Sequence, residues 1–151
     1  VRLVVKIHPL DPGVIDMGAV TRRLARAHGV SERVDFIHGG RLSVLCAAAR
    51  GVVVNNSSAG YAALGFGAPV KALGRAVYDF AGLCDQQPLD RFWSSPTAPD
   101  PALFARFRGH VLARTQINGA FDAPGLRAAT AERVADIISG RADPQMREEI
   151  D

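Results

Sequence analysis

The residues best suited to chemistry form a short polar turn in the middle of the chain. Asn55-Asn56-Ser57-Ser58 follows three valines and precedes an Ala- and Leu-rich segment that contains Gly60. A helix start offers backbone N–H groups and the positive end of the helix dipole, so hydroxyls and amides there predict an anion site, phosphate above all. Gly60 would let a ligand or a neighbouring backbone come close. The alternative is a plain helix cap at Ser57 or Ser58.

A histidine at the end of the first apolar run is a second candidate. His8 precedes Pro9, which ends the run and aims the imidazole. Protonated, it could bind a phosphate; as an acid, it could protonate a leaving phosphate oxygen. The alternative is a histidine hydrogen-bonded to nearby backbone. His38 lacks the proline and is interpreted as structural.

Arg75, Tyr78 and Asp79 lie in a loop just past another apolar run, where binding residues often gather. Asp79 could accept a hydrogen bond from a ribose or sugar hydroxyl. The alternative is a surface loop pinned by Tyr78.

Alternating elements must position these side chains. Short β-branched runs predict four strands, at Leu3–Ile7, Val34–Ile37, Val52–Val54 and Pro69–Leu73. Helical spacing predicts the intervening helices, at Ile15–His28, Leu42–Arg50 and Ala59–Phe66. The alternation indicates an α/β fold with a Rossmann-like parallel sheet flanked by helices. We expect one domain over residues 1–139, with later helices at Pro101–Thr115 and Pro124–Ser139, and a polar tail over 140–151.

This topology would bring the candidates together. Ligands of open α/β sheets bind beyond the carboxyl ends of the strands. The prediction therefore places His8, His38 and the polar turn at one edge, and Arg75 and Tyr78 could join them.

Composition excludes several classes of function. The chain has 151 residues, of which 48% are hydrophobic and 22% charged, as in ordinary globular proteins. The sequence contains no run of 18 apolar residues, so it gives no indication of a membrane span. The net charge is +3, and the arginines are spread along the chain with no long basic run, which disfavours nucleic-acid binding. No Walker loop, GxGxxG, GxSxG or metal-ligand cluster is present. The first residue is Val1, not Met, and it directly precedes a predicted strand, so we expect a piece of a longer protein.

Four segments, in order, carry a family resemblance. They are KIHPLDPG, VVNNSSAGYAALGFGAPVKALGRAVYDFAGL, LDRFW and TQINGAF. Together they resemble the capsule polysaccharide biosynthesis family, bacterial Kdo transferases that build the lipid-linked terminus of capsular polysaccharide. The resemblance covers roughly Val1 to Asp122. One departure is Ala62, where the family usually has Glu or Gln.

The resemblance implies one half of a GT-B glycosyltransferase, the C-terminal half that binds the donor CMP-Kdo, with no cofactor and no metal. It implies that His8, Ser57 and Ser58 bind the CMP phosphate, with His8 as the catalytic group. The other candidate donor-binding residues are those found above, Asn56, Gly60, Arg75, Tyr78 and Asp79. The general base would be an acidic residue of the absent N-terminal half.

The expected partners are a nucleotide-sugar donor, a glycolipid or oligosaccharide acceptor and the missing N-terminal domain, with no nucleic acid. The expected location is the cytoplasm, including the inner-membrane face through peripheral association of the parent protein. The two cysteines lack metal-ligand spacing and fit a reduced compartment.

Two other functions stay open. The chain could be a non-catalytic nucleotide-binding or assembly module, or half of a UDP-sugar transferase or epimerase. The latter usually carry a ribose-binding carboxylate on the helix after the turn, and Ala59–Phe66 has none.

Overall fold

A computed structural model describes residues 1–117 and 119–141. The chain divides into two compact units, Val1–Pro99 and Asp100–Asp151. One domain over residues 1–139 stays a prediction. The predicted tail over 140–151 lies outside the described residues, apart from its first two.

The first unit contains four strands, each within one residue of its predicted bounds. They are β1 (Leu3–Lys6), β2 (Val34–Ile37), β3 (Val52–Val54) and β4 (Val70–Ala72). β1 and β2 pair in parallel with Leu3 opposite Val34, and β3 and β4 pair in parallel with Val52 opposite Val70. Parallel pairing of sequential strands through a helix confirms the predicted βαβ units.

The strands of the described residues form two separate two-stranded sheets, where one continuous sheet was expected. Strands of three or four residues make few ladder hydrogen bonds. One helical crossover joins the two strands of each pair, β1 to β2 and β3 to β4. Burial differs between the two sheets. Leu3 and Val4 of β1 remain 42% and 45% exposed, whereas Val70 and Ala72 of β4 are buried. The core of the first unit therefore lies around β3 and β4.

Helices flank these sheets close to the predicted positions. The first unit has α1 (Met17–Ala27), α2 (Leu42–Ala48), α3 (Ser58–Gly65) and α4 (Leu89–Phe92), with a 3₁₀ turn at Ser31–Arg33. Asp16 caps α1, because its carboxylate accepts from the Ala19 N–H at 2.8 Å. Gly29 follows α1 with a φ of 64°, the left-handed conformation that commonly ends helices.

Phe92 is the largest fully buried side chain of the core, followed in size by Leu83 and Val70. Its ring lies against Gly51, where a Cβ would be 2.6 Å from the Phe92 Cζ. Trp93 packs edge-on against the Phe92 ring, with centroids 5.9 Å apart. Glycine at position 51 therefore makes room for the aromatic residue of the LDRFW segment.

The second unit contains α5 (Pro101–Thr115) and α6 (Pro124–Ile138). Asp100 caps α5 by accepting from the N–H groups of Ala102 and Leu103 at 2.8 and 3.1 Å. Each helix has proline at its first position, as predicted for α5. None of the helices in residues 1–117 and 119–141 combines the length and the hydropathy that a membrane span requires.

Candidate functional site

The polar turn lies between the end of β3 and the start of α3. Ser57 is the N-cap, because its Oγ accepts from the Ala59 N–H at 3.2 Å. Its hydroxyl hydrogen can still donate to another group. The side chains from Asn55 to Ser58 are all exposed. The turn therefore presents amides and hydroxyls to solvent at the positive end of a helix dipole.

The segment after β4 holds the first residue of this turn. The Gly74 N–H donates to the Asn55 carbonyl at 2.8 Å, and the Leu73 N–H donates to the Val54 carbonyl at 2.8 Å. A Cβ at position 74 would lie 2.6 Å from the Asn55 Oδ1. Glycine at this position therefore allows the two chain segments to approach.

Tyr78 holds the third residue of the turn. Its hydroxyl donates to the Ser57 carbonyl, and the residue is only 3% exposed. A Cβ at Gly60 would lie 2.9 Å from Val54 Cγ2 and 3.0 Å from Tyr78 Cζ. The space over Gly60 is thus filled by protein side chains. Burial raises the pKa of Tyr78, and nearby Cys84 and Asp79 add to this effect.

Arg75 and Asp79 flank these contacts. Arg75 directly follows Gly74 and is exposed. The half-buried Asp79 accepts from the Gln86 Nε2 at 3.1 Å through Oδ1, which leaves Oδ2 as a further acceptor. The structure therefore brings seven predicted residues into one neighbourhood around the turn: Asn56, Ser57, Ser58, Gly60, Arg75, Tyr78 and Asp79. Binding of a ligand by any of them stays a prediction.

His8 lies at the carboxyl end of β1 and is exposed. Its Nδ1 accepts from the Leu10 N–H at 3.1 Å, so the neutral imidazole carries its proton on Nε2. That arrangement leaves Nε2–H as a donor. The predicted backbone contact is thus present, and it fixes the tautomer.

Strand pairing brings the ends of β1 and β2 to the same edge of their sheet, since Lys6 pairs with Ile37. His8 follows β1 by two residues and His38 follows β2 by one, so both histidines lie at that edge. The His38 ring packs edge-on against Phe36 at 5.1 Å, in line with its structural interpretation. The polar turn belongs to the other sheet. Strand pairing therefore does not join His8 to the turn, and their meeting at one edge stays a prediction.

The structure also contains a buried carboxylate that the sequence did not single out. Asp85 is 2% exposed and accepts from the backbone N–H groups of Gln87 and Thr97, both at 2.8 Å, and from the Gln87 Nε2 at 3.1 Å. Burial alone would raise the pKa of Asp85, but these hydrogen bonds outweigh burial and lower it. Its own N–H donates to Val70, and Lys71 Nζ donates to its carbonyl at 3.1 Å. Asp85 therefore ties a loop to β4.

The second unit explains one glycine of the TQINGAF segment. A Cβ at Gly119 would collide with the buried Thr130. The Thr130 Oγ accepts from the Ala120 N–H at 3.0 Å and donates to the Leu126 carbonyl at 2.7 Å. Asn118 of this segment lies outside the described residues. The described part of the segment is thus pinned to α6.

Two further features bear on ligands. Within residues 1–117 and 119–141, no group of three His, Cys, Asp or Glu side chains could hold a metal ion. An open groove of about 520 Å³ lies on the β1–β2 sheet. No residue of the polar turn lines it, and its lining is mostly apolar: Val4, Arg22, Val34, Asp35, Phe36, Ile37 and Leu45. The Asp35 carboxylate there already pairs with Arg2 at 2.7 Å. The groove is therefore not the site that the turn would form.

Comparison with known proteins identifies the family. Residues 1–122 match the family described as "Capsule polysaccharide biosynthesis protein". The chain is 39% identical over 119 residues to the capsule polysaccharide export protein KpsS of Escherichia coli, covering 79% of this chain and 31% of KpsS. It is 41% identical over 120 residues to the capsule polysaccharide modification protein LipB of Neisseria meningitidis serogroup A, covering 79% of this chain and 29% of LipB.

The chain thus spans about a third of the length of these curated relatives. No solved structure matches it significantly. The match to the family covers most of the chain and includes β1, the polar turn and the 74–79 segment, all of which lie in the segments that carry the resemblance. The chain therefore belongs to the capsule polysaccharide biosynthesis protein family.

Proposed function

We propose that this chain is the donor-binding half of an inverting glycosyltransferase of GT-B architecture. The reaction moves Kdo from CMP-Kdo to the lipid-linked terminus of a capsule polysaccharide. The observation that carries the proposal is the β3–α3 turn, whose exposed amides and hydroxyls stand at a helix start. Membership of a capsule biosynthesis family supports it.

The phosphate of the donor binds at the turn. Asn56, Ser57 and Ser58 supply side-chain donors, and the positive end of α3 favours the anion. Arg75 follows a glycine that is hydrogen-bonded to the turn, so its guanidinium adds a positive charge in the same neighbourhood. Asp79 accepts from a ribose or sugar hydroxyl.

His8 assists departure of the nucleotide. Its Nε2–H donates a hydrogen bond to the phosphate oxygen and stabilises the negative charge that develops there as the bond between the donor carbon and that oxygen breaks. The acceptor hydroxyl attacks the opposite face of the carbon, and its proton passes to a carboxylate of the other half of the enzyme. A preorganised donor of this kind is typically worth about 2.7–4 kcal/mol.

The helix after the turn favours CMP over UDP as the leaving group. UDP-sugar enzymes of this architecture usually hold ribose with a carboxylate on that helix, whereas α3 contains no acidic residue. A UDP-sugar transferase or epimerase is accordingly the weaker candidate.

The proposed partners are the N-terminal half and a glycolipid or oligosaccharide acceptor, met in the cytoplasm at the inner-membrane face. A second candidate function has a specific observation behind it, since KpsS is named an export protein. In that case the chain is a non-catalytic nucleotide-binding or assembly module.

Titration of the ¹⁵N-labelled chain with CMP, UMP and UDP, followed by NMR shifts, tests the proposal. We expect CMP to bind best and to shift His8 and the amides of residues 57–60. A preference for UDP would indicate the UDP-sugar candidate. Absence of binding to a folded sample would contradict a self-contained donor site.

The role of His8 needs the full-length protein. His8→Ala should lower turnover by about two orders of magnitude or more with an unchanged melting temperature, and His38→Ala is the matched control. Turnover close to that of the unsubstituted protein would remove His8 from the mechanism and favour the assembly module.

A further inference from the structure

The contacts of Tyr78 differ from those of a ligand-binding side chain. The residue is almost completely buried, and its hydroxyl donates its hydrogen bond to the carbonyl of Ser57. That carbonyl also accepts from the Gly60 N–H at 2.9 Å in the first turn of α3. Tyr78 therefore acts on the backbone of the turn.

The turn is held at two points by one segment. Gly74 donates to Asn55 at the start of the turn, and Tyr78 donates to Ser57 at its end. The side chains between these two points, from Asn55 to Ser57, stay exposed. The fixed part is the backbone, whereas the groups that face solvent remain available.

The two glycines are needed for this arrangement. Side chains at positions 60 and 74 would displace the Tyr78 ring and the Asn55 amide respectively, with Cβ distances of 3.0 Å to Tyr78 Cζ and 2.6 Å to Asn55 Oδ1. Distances below about 3 Å cannot be kept without movement of the neighbouring group.

We propose that Tyr78 is a positioning residue that fixes the start of α3 for a phosphate group without touching the ligand. The identity of the ligand rests on the proposed function. The two hydrogen bonds that hold the turn, from Gly74 to Asn55 and from Tyr78 to Ser57, do not depend on it. A rigid set of donors binds an anion better than a mobile one, because less ordering is needed on binding. The hydroxyl of Tyr78 therefore contributes to phosphate affinity through Ser57.

The test compares Tyr78→Phe with Tyr61→Phe. The Tyr61 ring packs beside that of Tyr78 at 6.3 Å, so the same change at a neighbouring tyrosine is the matched control. We expect Tyr78→Phe to weaken CMP binding about threefold to tenfold, as for loss of one hydrogen bond, and to leave cytidine binding unchanged. The selective loss of the phosphate contribution is a result that general destabilisation would not produce.

Amide hydrogen exchange in the absence of ligand separates the two proposals. Tyr78→Phe should speed exchange of the Ala59 and Gly60 amides relative to amides of β4, and Tyr61→Phe should not. Unchanged exchange at the turn, or an equal loss of CMP and cytidine affinity, would overturn the positioning role. If the unsubstituted chain bound no nucleotide while the exchange result held, a self-contained phosphate site on this chain would be contradicted, whereas the hold of the turn by Gly74 and Tyr78 would stand.

Discussion

The carboxylate of Asp85 accepts a hydrogen bond of 2.8 Å from the backbone N–H of Thr97, twelve residues further along the chain. Replacing this carboxylate by an amide would remove the charge and one acceptor oxygen, and leave buried donors unsatisfied. We therefore expect Asp85→Asn to lower the free energy of unfolding by about 1–3 kcal/mol, measured by urea denaturation. Asp90→Asn, at an exposed position on α4, is the control and should change stability little.

The pH dependence of stability provides a second test of Asp85. Its pKa is lower in the folded protein than the ordinary value of about 3.9, so near that pH the unfolded chain binds more protons. The stabilising contribution is present above about pH 4 and is lost as the pH falls through the folded pKa. We expect Asp85→Asn to flatten the acid limb of the stability curve. An unchanged limb would contradict this account of the carboxylate.

Ser57 and Ser58 are adjacent hydroxyls with different structural roles. Only Ser57 accepts from a backbone N–H at the helix start, so Ser57→Ala should cost about 1 kcal/mol of stability. Ser58→Ala should cost clearly less, while both substitutions should weaken CMP binding if both hydroxyls bind phosphate. Thermal unfolding and nucleotide titration of the two variants, measured side by side, separate capping from ligand binding. Equal losses of stability would argue against Ser57 as the cap.

Both cysteines should be unreactive in the native protein. Burial, with a further contribution from Asp79, raises the pKa of Cys84 to about 11, and burial raises that of Cys46. At neutral pH about one Cys84 thiol in ten thousand is then ionised, and the thiolate is the reactive form. We expect mass spectrometry to find neither residue alkylated by iodoacetamide in buffer and both alkylated in denaturant. Rapid labelling of native Cys84 would show that its surroundings are more open than described.

The Arg2–Asp35 ion pair joins the start of β1 to β2 and can be detected by titration. Arg2 contacts both carboxylate oxygens, at 2.7 and 3.1 Å, and this hydrogen bonding lowers the pKa of Asp35. Arg2→Gln should return that pKa toward its ordinary value, as measured by NMR titration of the carboxyl carbon. Arg33→Gln, an exposed arginine just before β2, is the control. An Asp35 pKa that stayed low without Arg2 would mean that another group is responsible.

Local patterns predicted most elements of this fold. The valines of β3 and the cap at Ser57 are short-range signals, because each depends on residues only a few positions apart. The division into two sheets was not predicted, since a β-branched run does not specify which strands will be its neighbours.

The candidate site was predictable to a similar extent. The polar turn and the loop after β4 were found from their residue types. The target of Tyr78 was not, because the hydrogen bond spans 21 positions. Likewise, the sequence DQQP around Asp85 resembles an exposed loop, and nothing local indicates that its carboxylate is buried.

The close approach at Gly60 has a consequence for how this sequence can change over generations. A side chain at position 60 would meet the ring at position 78, so drift at either position depends on the other. A lineage that first loses the tyrosine leaves only Val54, whose Cγ2 would lie 2.9 Å from a Cβ at position 60, to shift before alanine or serine fits. In the reverse order the new side chain meets both Val54 and the Tyr78 ring. The two positions should therefore be inherited as a pair, and their substitutions should appear together among relatives.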